Sequence, residues 1–272
     1  MNSKAPIIPL RSEKPSLGIL HALAALARHG LDDLPNTRLQ NRVDTKYMLP
    51  LALLTQLLEA ARTHYSVLDI NGSCISQYQT TYLDTADFRC FHMHHRGELE
   101  RYKVRLRQYI NSGQRFLEIK HKTNQKRTHK TRQQLPTPPS GAHPWSAHHD
   151  FLTAQLPRTL HELSPSQSGR YQRIALASDA LGERVTLDFD LHYQSLRNGT
   201  TQALDNIVIV EVKQHRLSKH SPFIQLLTRL GVRPISFSKY CIGCCLTQPE
   251  LKRNLFKPTL AYLAQLNHEE AA

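Results

Sequence analysis

Polar and apolar residues alternate with a period of two along several stretches of the chain. In "RYKVRLRQY" (101–109), Arg101, Lys103, Arg105 and Arg107 share one parity, and Tyr102, Val104 and Leu106 share the other. "RFLEIKHK" (115–122) continues the design, with Glu118, Lys120 and Lys122 alternating with Leu117 and Ile119. A helix would scatter such positions around its axis, so the pattern predicts strands at about 99–110 and 114–122. "NRVDTKYML" (41–49) places Arg42, Asp44 and Lys46 on one face. "ERVTLDFDLHY" (183–193) does so with Arg184, Thr186, Asp188 and Asp190, and "NIVIVEVKQ" (206–214) with Glu211 and Lys213. "YSVLDI", "QYQTTYLD" and "RYQRIALAS" (170–178) add strands, the first two separated by the Asn-Gly turn of "NGSC".

Helical spacing appears in "LGILHALAALA" (17–27), in "LALLTQLLEAAR" with Pro50 in its first turn, and in "SPFIQLLTRLG" (221–231), which ends on Gly231. "FSKYCIGCCL" opens another helix, and the last two dozen residues form a peripheral helix and tail. Residues 85–97 are expected to be a polar, histidine-rich connection. The basic 124–132 segment is expected to hold a short helix, and the proline-rich 135–144 stretch is a loop. About eight strands, mostly antiparallel by connection length, with helices between them, imply an α+β fold.

Same-face neighbours on a strand lie about 7 Å apart. At an effective dielectric near 20, each such pair of cations repels by about 2 kcal/mol. An open sheet could leave its charged face in water. A closed barrel would turn that face inward and carry helices outside, and eight strands enclose room for side chains or one small ligand. Cations lining a narrow interior need an anion whose charge repeats along the axis. A linear phosphate chain has that form, and it suits arginine forks and lysine point charges. The interspersed Glu118, Asp188, Asp190 and Glu211 offer hard oxygen ligands for Mg²⁺ or Mn²⁺.

Composition agrees. The 272 residues carry a formal charge of +13, which favours a polyanionic partner. No stretch approaches the roughly 18 uninterrupted apolar residues of a membrane-spanning helix. His21 interrupts the 17–27 segment and Glu13 precedes it, so it reads as an amphipathic surface helix rather than a signal peptide. An outer-membrane pore would need a signal peptide and aromatic girdles, and neither is convincing. The five cysteines, 74, 90, 241, 244 and 245, have no framework spacing, which points to a reducing, cytoplasmic compartment. Cys241, Cys244 and Cys245 share a helical face and read as buried small residues. "HMHH" (92–95) reads as a solvated loop rather than a zinc site, and Asp84 as a turn cap or a residue at the mouth of the interior. Trp145 reads as a packing anchor for the proline-rich loop.

The same residues carry a family resemblance. "NRVDTKYML", "RYKVRLRQY…FLEIKHK…KRTHKTR", "RYQR…RVTLD", "VEVK" and "FSKY" follow one another as in VTC-type polyphosphate polymerase domains. These belong to the CYTH-like triphosphate tunnel metalloenzymes. The resemblance spans about 41–246, between an N-terminal arm and helix (1–40) and a C-terminal helix and tail (247–272). It implies a closed eight-stranded antiparallel barrel with helices outside, binding nucleoside triphosphate and polyphosphate. It further implies transfer of the γ-phosphate to a growing chain with a divalent metal, Mn²⁺ or Mg²⁺.

By motif, Arg105 and Arg107 would form the main clamp, with Lys120 and Arg173 as further catalytic cations. Lys46, Tyr171, Lys213, Ser238 and Lys239 would complete the phosphate site, joined by Arg42 and Lys103 on the same faces. Lys130 would guard one mouth, with Arg127 and Arg132 nearby. Glu211 leads the metal ligands, with Glu118 and Asp188 as the other carboxylates. The related CYTH-type triphosphatases open with E-x-E-x-K, whereas this chain has Arg42-x-Asp44-x-Lys46, which favours polymerisation over two-metal hydrolysis. A tri- or nucleoside-triphosphate hydrolase, including one acting on RNA 5′-triphosphate ends, is the first alternative. A non-catalytic polyphosphate- or nucleic-acid-binding module is the second. The basic strands lack interleaved aromatics, which argues against specific nucleic-acid stacking. No membrane-spanning helices or SPX-like region are read beside the domain, so coupling to translocation is not expected to be encoded in this chain, which leaves room for a membrane partner.

Overall fold

The computed structural model describes residues 14–34, 42–125, 127–136 and 148–269, with side chains to 267. The arm before residue 14, Trp145 and most of the proline-rich loop lie outside the described residues.

The chain runs α1 (Leu17–Ala24), β1 (Ala27–His29), β2 (Val43–Pro50), α2 (Leu54–Ala61), β3 (Ser66–Leu68), β4 (Ile75–Asp84) and α3 (Arg89–His95). It continues through β5 (Arg101–Tyr109), β6 (Arg115–Lys122), β7 (Thr128–Leu135), α4 (His149–Gln155), β8 (Ser164–Ser178) and β9 (Glu183–Ser195). The last elements are β10 (Thr201–Leu204), β11 (Ile207–Gln214), α5 (Pro222–Arg229), α6 (Lys239–Thr247) and α7 (Lys257–Glu269).

Eight of these strands pair in the order β2-β11-β9-β8-β4-β5-β6-β7, and every one of these pairings is antiparallel. Three short strands bring the sheet to eleven: β10 beside β9, β3 beside β8, and β1 parallel to β3. The expected closed eight-stranded barrel is therefore corrected. Among the described residues no ladder joins β2 to β7. The edge of β2 instead receives the approach to α6, where Ile235 N–H donates to the Lys46 carbonyl at 2.8 Å. From the far wall, Lys103 Nζ on β5 donates to Ser238 Oγ at 2.9 Å. These two bonds tie one irregular segment to strands far apart in the sheet order, so the sheet curls without hydrogen-bonded closure.

Two expectations for irregular segments also change. Residues 89–95 form a helix, because the Asp84 carboxylate accepts the N–H groups of Cys90 (2.8 Å) and Phe91 (3.0 Å) at its first turn. Asp84 is wholly buried and also accepts the Tyr240 hydroxyl, which supports the cap reading and excludes a place at an open mouth. The 124–132 segment is not helical: Thr128–Leu135 pairs with β6 in full register, Lys130 opposite Lys120 and Arg132 opposite Glu118. Pro50 ends β2 rather than starting α2.

The alternation decides which face is buried where. Outward residues of β2, β8, β9 and β11, such as Leu49, Ile174, Leu187 and Val210, form one core with α1, α2 and α5. Outward residues of β5 and β6, such as Val104, Leu106, Leu117 and Ile119, belong to a second core that includes residues of α3, α4, α6 and α7. Helix α6 packs on the inner side of β8 and β9. It can do so because Gly243 has no side chain: a Cβ there would lie 2.2 Å from Gln167 Nε2 and 2.6 Å from Tyr193 Cδ1. Cys241, Cys244 and Cys245 on this helix are buried and unpaired, as expected. No helix among the described residues is long and apolar enough to cross a membrane.

Replacing Gly243 with valine should therefore overpack the seat of α6. We expect a loss of about 1–3 kcal/mol, read as a lower denaturation midpoint at unchanged m-value.

Candidate functional site

The register assembles one inner face from the predicted polar parities. Lys46 lies opposite Glu211, Lys213 opposite Arg184 and Asp44, Arg173 opposite Asp188, and Arg105 opposite Glu118. Three carboxylates organise the cations. Glu211 accepts Lys46 Nζ at 2.8 Å and Lys213 Nζ at 2.7 Å. Glu118 accepts Arg105 at 2.7 Å and Lys130, with Arg107 at 3.8 Å. Asp188 takes Arg173 through both Nε (2.5 Å) and Nη2 (2.7 Å), and also the Lys239 ammonium from the start of α6.

Burial opposes ionisation of all three, but the cations outweigh it. Arg105, Arg107 and Lys130 hold Glu118 at about 2, and Arg173 with Lys239 holds Asp188 at about 2. Lys213 and Lys46 hold Glu211 well below the usual carboxylate range. Glu118 and Asp188 are almost fully covered (2% and 3% exposed), whereas Glu211 keeps 19% of its side chain accessible.

Positive charge remains in excess. Burial pushes Lys103 down to about 8, with Lys120, Arg105 and Lys46 adding repulsion. Burial likewise brings Lys213 to about 8, against the pull of Glu211. Lys120 is lowered by burial and by Lys46, a residue six strands away in sheet order, which shows how far the sheet curls. Among the described residues, neither Lys120 nor Arg184 has a carboxylate within ion-pair distance. Ser238 caps α6, accepting Cys241 N–H at 3.2 Å, so the positive end of that helix adds to the same field. Arg42 lies just before β2, pairs with Asp44 at 2.8 Å and is 42% exposed, at the rim rather than deep on the face.

The predicted phosphate-binding residues thus converge on one face, together with residues the sequence reading did not assign to the site. Arg184 stands on the inner face beside Lys213. Aromatic rings also line this face, which strand-by-strand inspection of the basic segments did not reveal. Tyr78 stacks on Tyr171 (5.0 Å, 6°) and meets Tyr109 at 5.0 Å, and Tyr109 meets Phe116 at 5.8 Å. Arginine or lysine lies over three of these rings, Tyr78, Tyr171 and Phe116. The signal was present in the shared parity of Tyr78, Thr80 and Tyr82.

Asp190 leaves the face on which alternation placed it. The β8–β9 register shifts between Arg170 and Gln172, and Asp190 adopts φ +52°. A one-residue shift reverses every later side chain. Asp190 instead accepts Gln172 Nε2 at 2.9 Å and contacts His192 Nε2 at 2.7 Å. Asp190, His192 and Asp205 are the group among the described residues whose potential ligand atoms lie within 4.8 Å of one another. Glu211, Glu118 and Asp188 do not converge in that way.

The family model for the VTC domain matches residues 41–248. The chain belongs to the VTC domain family. A search of the curated proteins finds no match. Among solved structures, the VTC domain is similar to a candidate adenylate cyclase from Bacillus halodurans at 12% identity, covering 73% of this chain and 96% of that one, with a TM-score of 0.45. A candidate adenylyl cyclase from Hippeastrum, described as having a dominant triphosphatase activity, shares 14% identity over 76% of this chain and 96% of its own, TM-score 0.46. A conserved hypothetical protein from Pyrococcus furiosus shares 12% over 72% and 97%, TM-score 0.39. Likeness at these scores assigns the chain no activity.

The depressed carboxylates make the VTC domain acid-sensitive. Their stabilisation is complete above the ordinary values of 4.5 (Glu118) and 3.8 (Asp188) and is lost as pH falls towards about 2. Asp188→Asn, which leaves Arg173 and Lys239 without their counter-ion, should lower stability at pH 7 by about 3–5 kcal/mol. It should also flatten the acid limb of a denaturation-versus-pH curve between about 4 and 2.

Proposed function

We propose that this VTC domain transfers the γ-phosphoryl group of a nucleoside triphosphate, such as ATP, to the end of an inorganic polyphosphate chain. The observation that carries the reading is the surplus of convergent cations on one curled face. Arg105, Arg107, Lys120, Arg173, Lys103 and Lys239 come from four elements, and three carboxylates are too few to neutralise the whole set. Guanidinium forks suit successive phosphate groups, and preorganised positive charge is the main help phosphoryl transfer needs.

In this reaction an oxygen of the acceptor's terminal phosphate attacks the γ-phosphorus. The bond from that phosphorus to the β-bridging oxygen breaks, releasing nucleoside diphosphate and a chain longer by one phosphate. No protein nucleophile is required. Arg105, Arg107 and Arg173 align the two phosphates, and Lys103, Lys120 and Lys239 offset charge on the oxygens.

Glu211, the most accessible of the three acids, is the carboxylate that would hold a divalent cation such as Mg²⁺ or Mn²⁺ together with substrate oxygens, the ion displacing the Lys46 or Lys213 ammonium that each of its oxygens now accepts. Such an ion would offset charge on the transferring group. Glu118 and Asp188, covered by their arginines, act chiefly as anchors for the clamp.

Incubating the purified protein with ATP and Mn²⁺ and resolving products by gel should yield long phosphate chains. Orthophosphate alone would instead indicate a hydrolase, and no turnover a binding module. Arg107→Ala should lower turnover at least about 100-fold while preserving the circular dichroism spectrum.

A second expectation follows from the lysines near 8. A polyanion favours their charged forms, so tripolyphosphate affinity should be full below about pH 8 and decline above it. Calorimetry at pH 8 in buffers of different ionisation enthalpy should register proton uptake on binding.

A further inference from the structure

Tyr78 touches three of the groups assigned above to phosphate, yet it is itself only 9% exposed. Its ring stacks parallel to Tyr171, centroids 5.0 Å apart at 6°. The guanidinium carbon of Arg173 lies 5.0 Å from its centroid and that of Arg107 lies 5.4 Å away. Tyr109 closes the far side at 5.0 Å and 59°. These contacts cross strands: Tyr78 is the register partner of Tyr171 on β8 and of Tyr109 on β5, while Arg173 lies beyond on β8 and Arg107 on β5. One ring on the intervening β4 therefore spaces two arginines of like charge.

Those arginines differ in how else they are held. Arg173 has the bidentate Asp188 pair. Among the described residues, the polar partners of Arg107 are Glu118 at 3.8 Å and the Tyr171 hydroxyl at 3.4 Å. For Arg107, the Tyr78 ring face supplies attraction of the kind a carboxylate supplies elsewhere. A negative quadrupole attracts the cation without neutralising it, so its full charge stays available to an incoming anion. A carboxylate in the same place would compete with that anion.

We propose that Tyr78 is the positioning residue of the arginine clamp. It fixes the separation and orientation of Arg107 and Arg173, and without its ring the two guanidiniums no longer engage adjacent phosphates together. This rests on the phosphate-chain reading of the face. The hydroxyl is dispensable on this account, since the arginine contacts are to the ring.

The test uses the full chain with Tyr78→Leu, Tyr78→Phe and, as a control for loss of a buried tyrosine, Tyr47→Leu on the outer face of β2. Two readouts are taken: the side-chain proton resonances of Arg107 and Arg173 without ligand, and tripolyphosphate affinity by calorimetry. In the wild type, ring currents should shift both arginine spin systems upfield. Tyr78→Leu should abolish the Arg107 shift, reduce the Arg173 shift to what the Tyr171 ring alone supplies, and weaken tripolyphosphate binding at least about tenfold. Tyr78→Phe should keep both properties, and Tyr47→Leu should lower stability without changing either.

Unshifted arginine resonances in the wild type, or an Arg107 shift that survives Tyr78→Leu, would overturn the proposal whatever the affinity. A lost Arg107 shift with wild-type affinity would also overturn it, while leaving the phosphate reading intact. If the wild type binds no tripolyphosphate, the phosphate reading falls, and the clamp role falls with it even if the ring shifts are present.

Discussion

Mutual repulsion among cations on the inner face is the constraint around which this structure is arranged. Same-face neighbours at strand spacing oppose one another by about 2 kcal/mol per pair. Three buried or half-buried carboxylates relieve the worst of it, each shared between two or more elements. Glu118 joins β5, β6 and β7; Glu211 joins β2 and β11; Asp188 joins β8, β9 and α6. The ion pairs therefore tie adjacent strands to one another, and Lys239 ties α6 to the sheet, as well as balancing charge. What they leave without a carboxylate among the described residues, at Lys103, Lys120 and Arg184, is the part of the face that the proposed reading assigns to an anion.

The remaining interior is apolar and aromatic. Helix α6 fills it through the bare surface of Gly243, and its first residues, Ser238 and Lys239, reach the charged region. The same helix is anchored by the Tyr240 hydroxyl on Asp84, which also starts α3. One buried carboxylate thus fixes an outer helix and the helix that carries part of the site. Stacked tyrosines continue the arrangement beneath the arginines, where a ring can hold a cation without neutralising it.

Much of the site was legible because strand parity is a local property. Arg105, Arg107, Lys120, Lys46 and Lys213 could be placed on charged faces from alternation alone, and they lie on the inner face. Parity failed at Asp190, where a bulge shifts the register and turns the residue away. Composition misled at 85–97, where histidines suggested an open connection. A single carboxylate from the preceding strand supplies the missing helix cap there. It misled again at 124–132, where lysines and arginines suggested a helix, although β6 offers that segment a complete ladder.

The sequence by itself determined which residues share a face, which faces are charged, and the family to which those motifs belong. Those properties depend on spacing along the chain. Only the tertiary structure decided that the sheet curls without hydrogen-bonded closure, and that each carboxylate serves cations from neighbouring strands. It also decided that Tyr78 stands between Arg107 and Arg173. These outcomes depend on strand order, register and the seat of α6, and the energies involved arise between groups that no local pattern brings together.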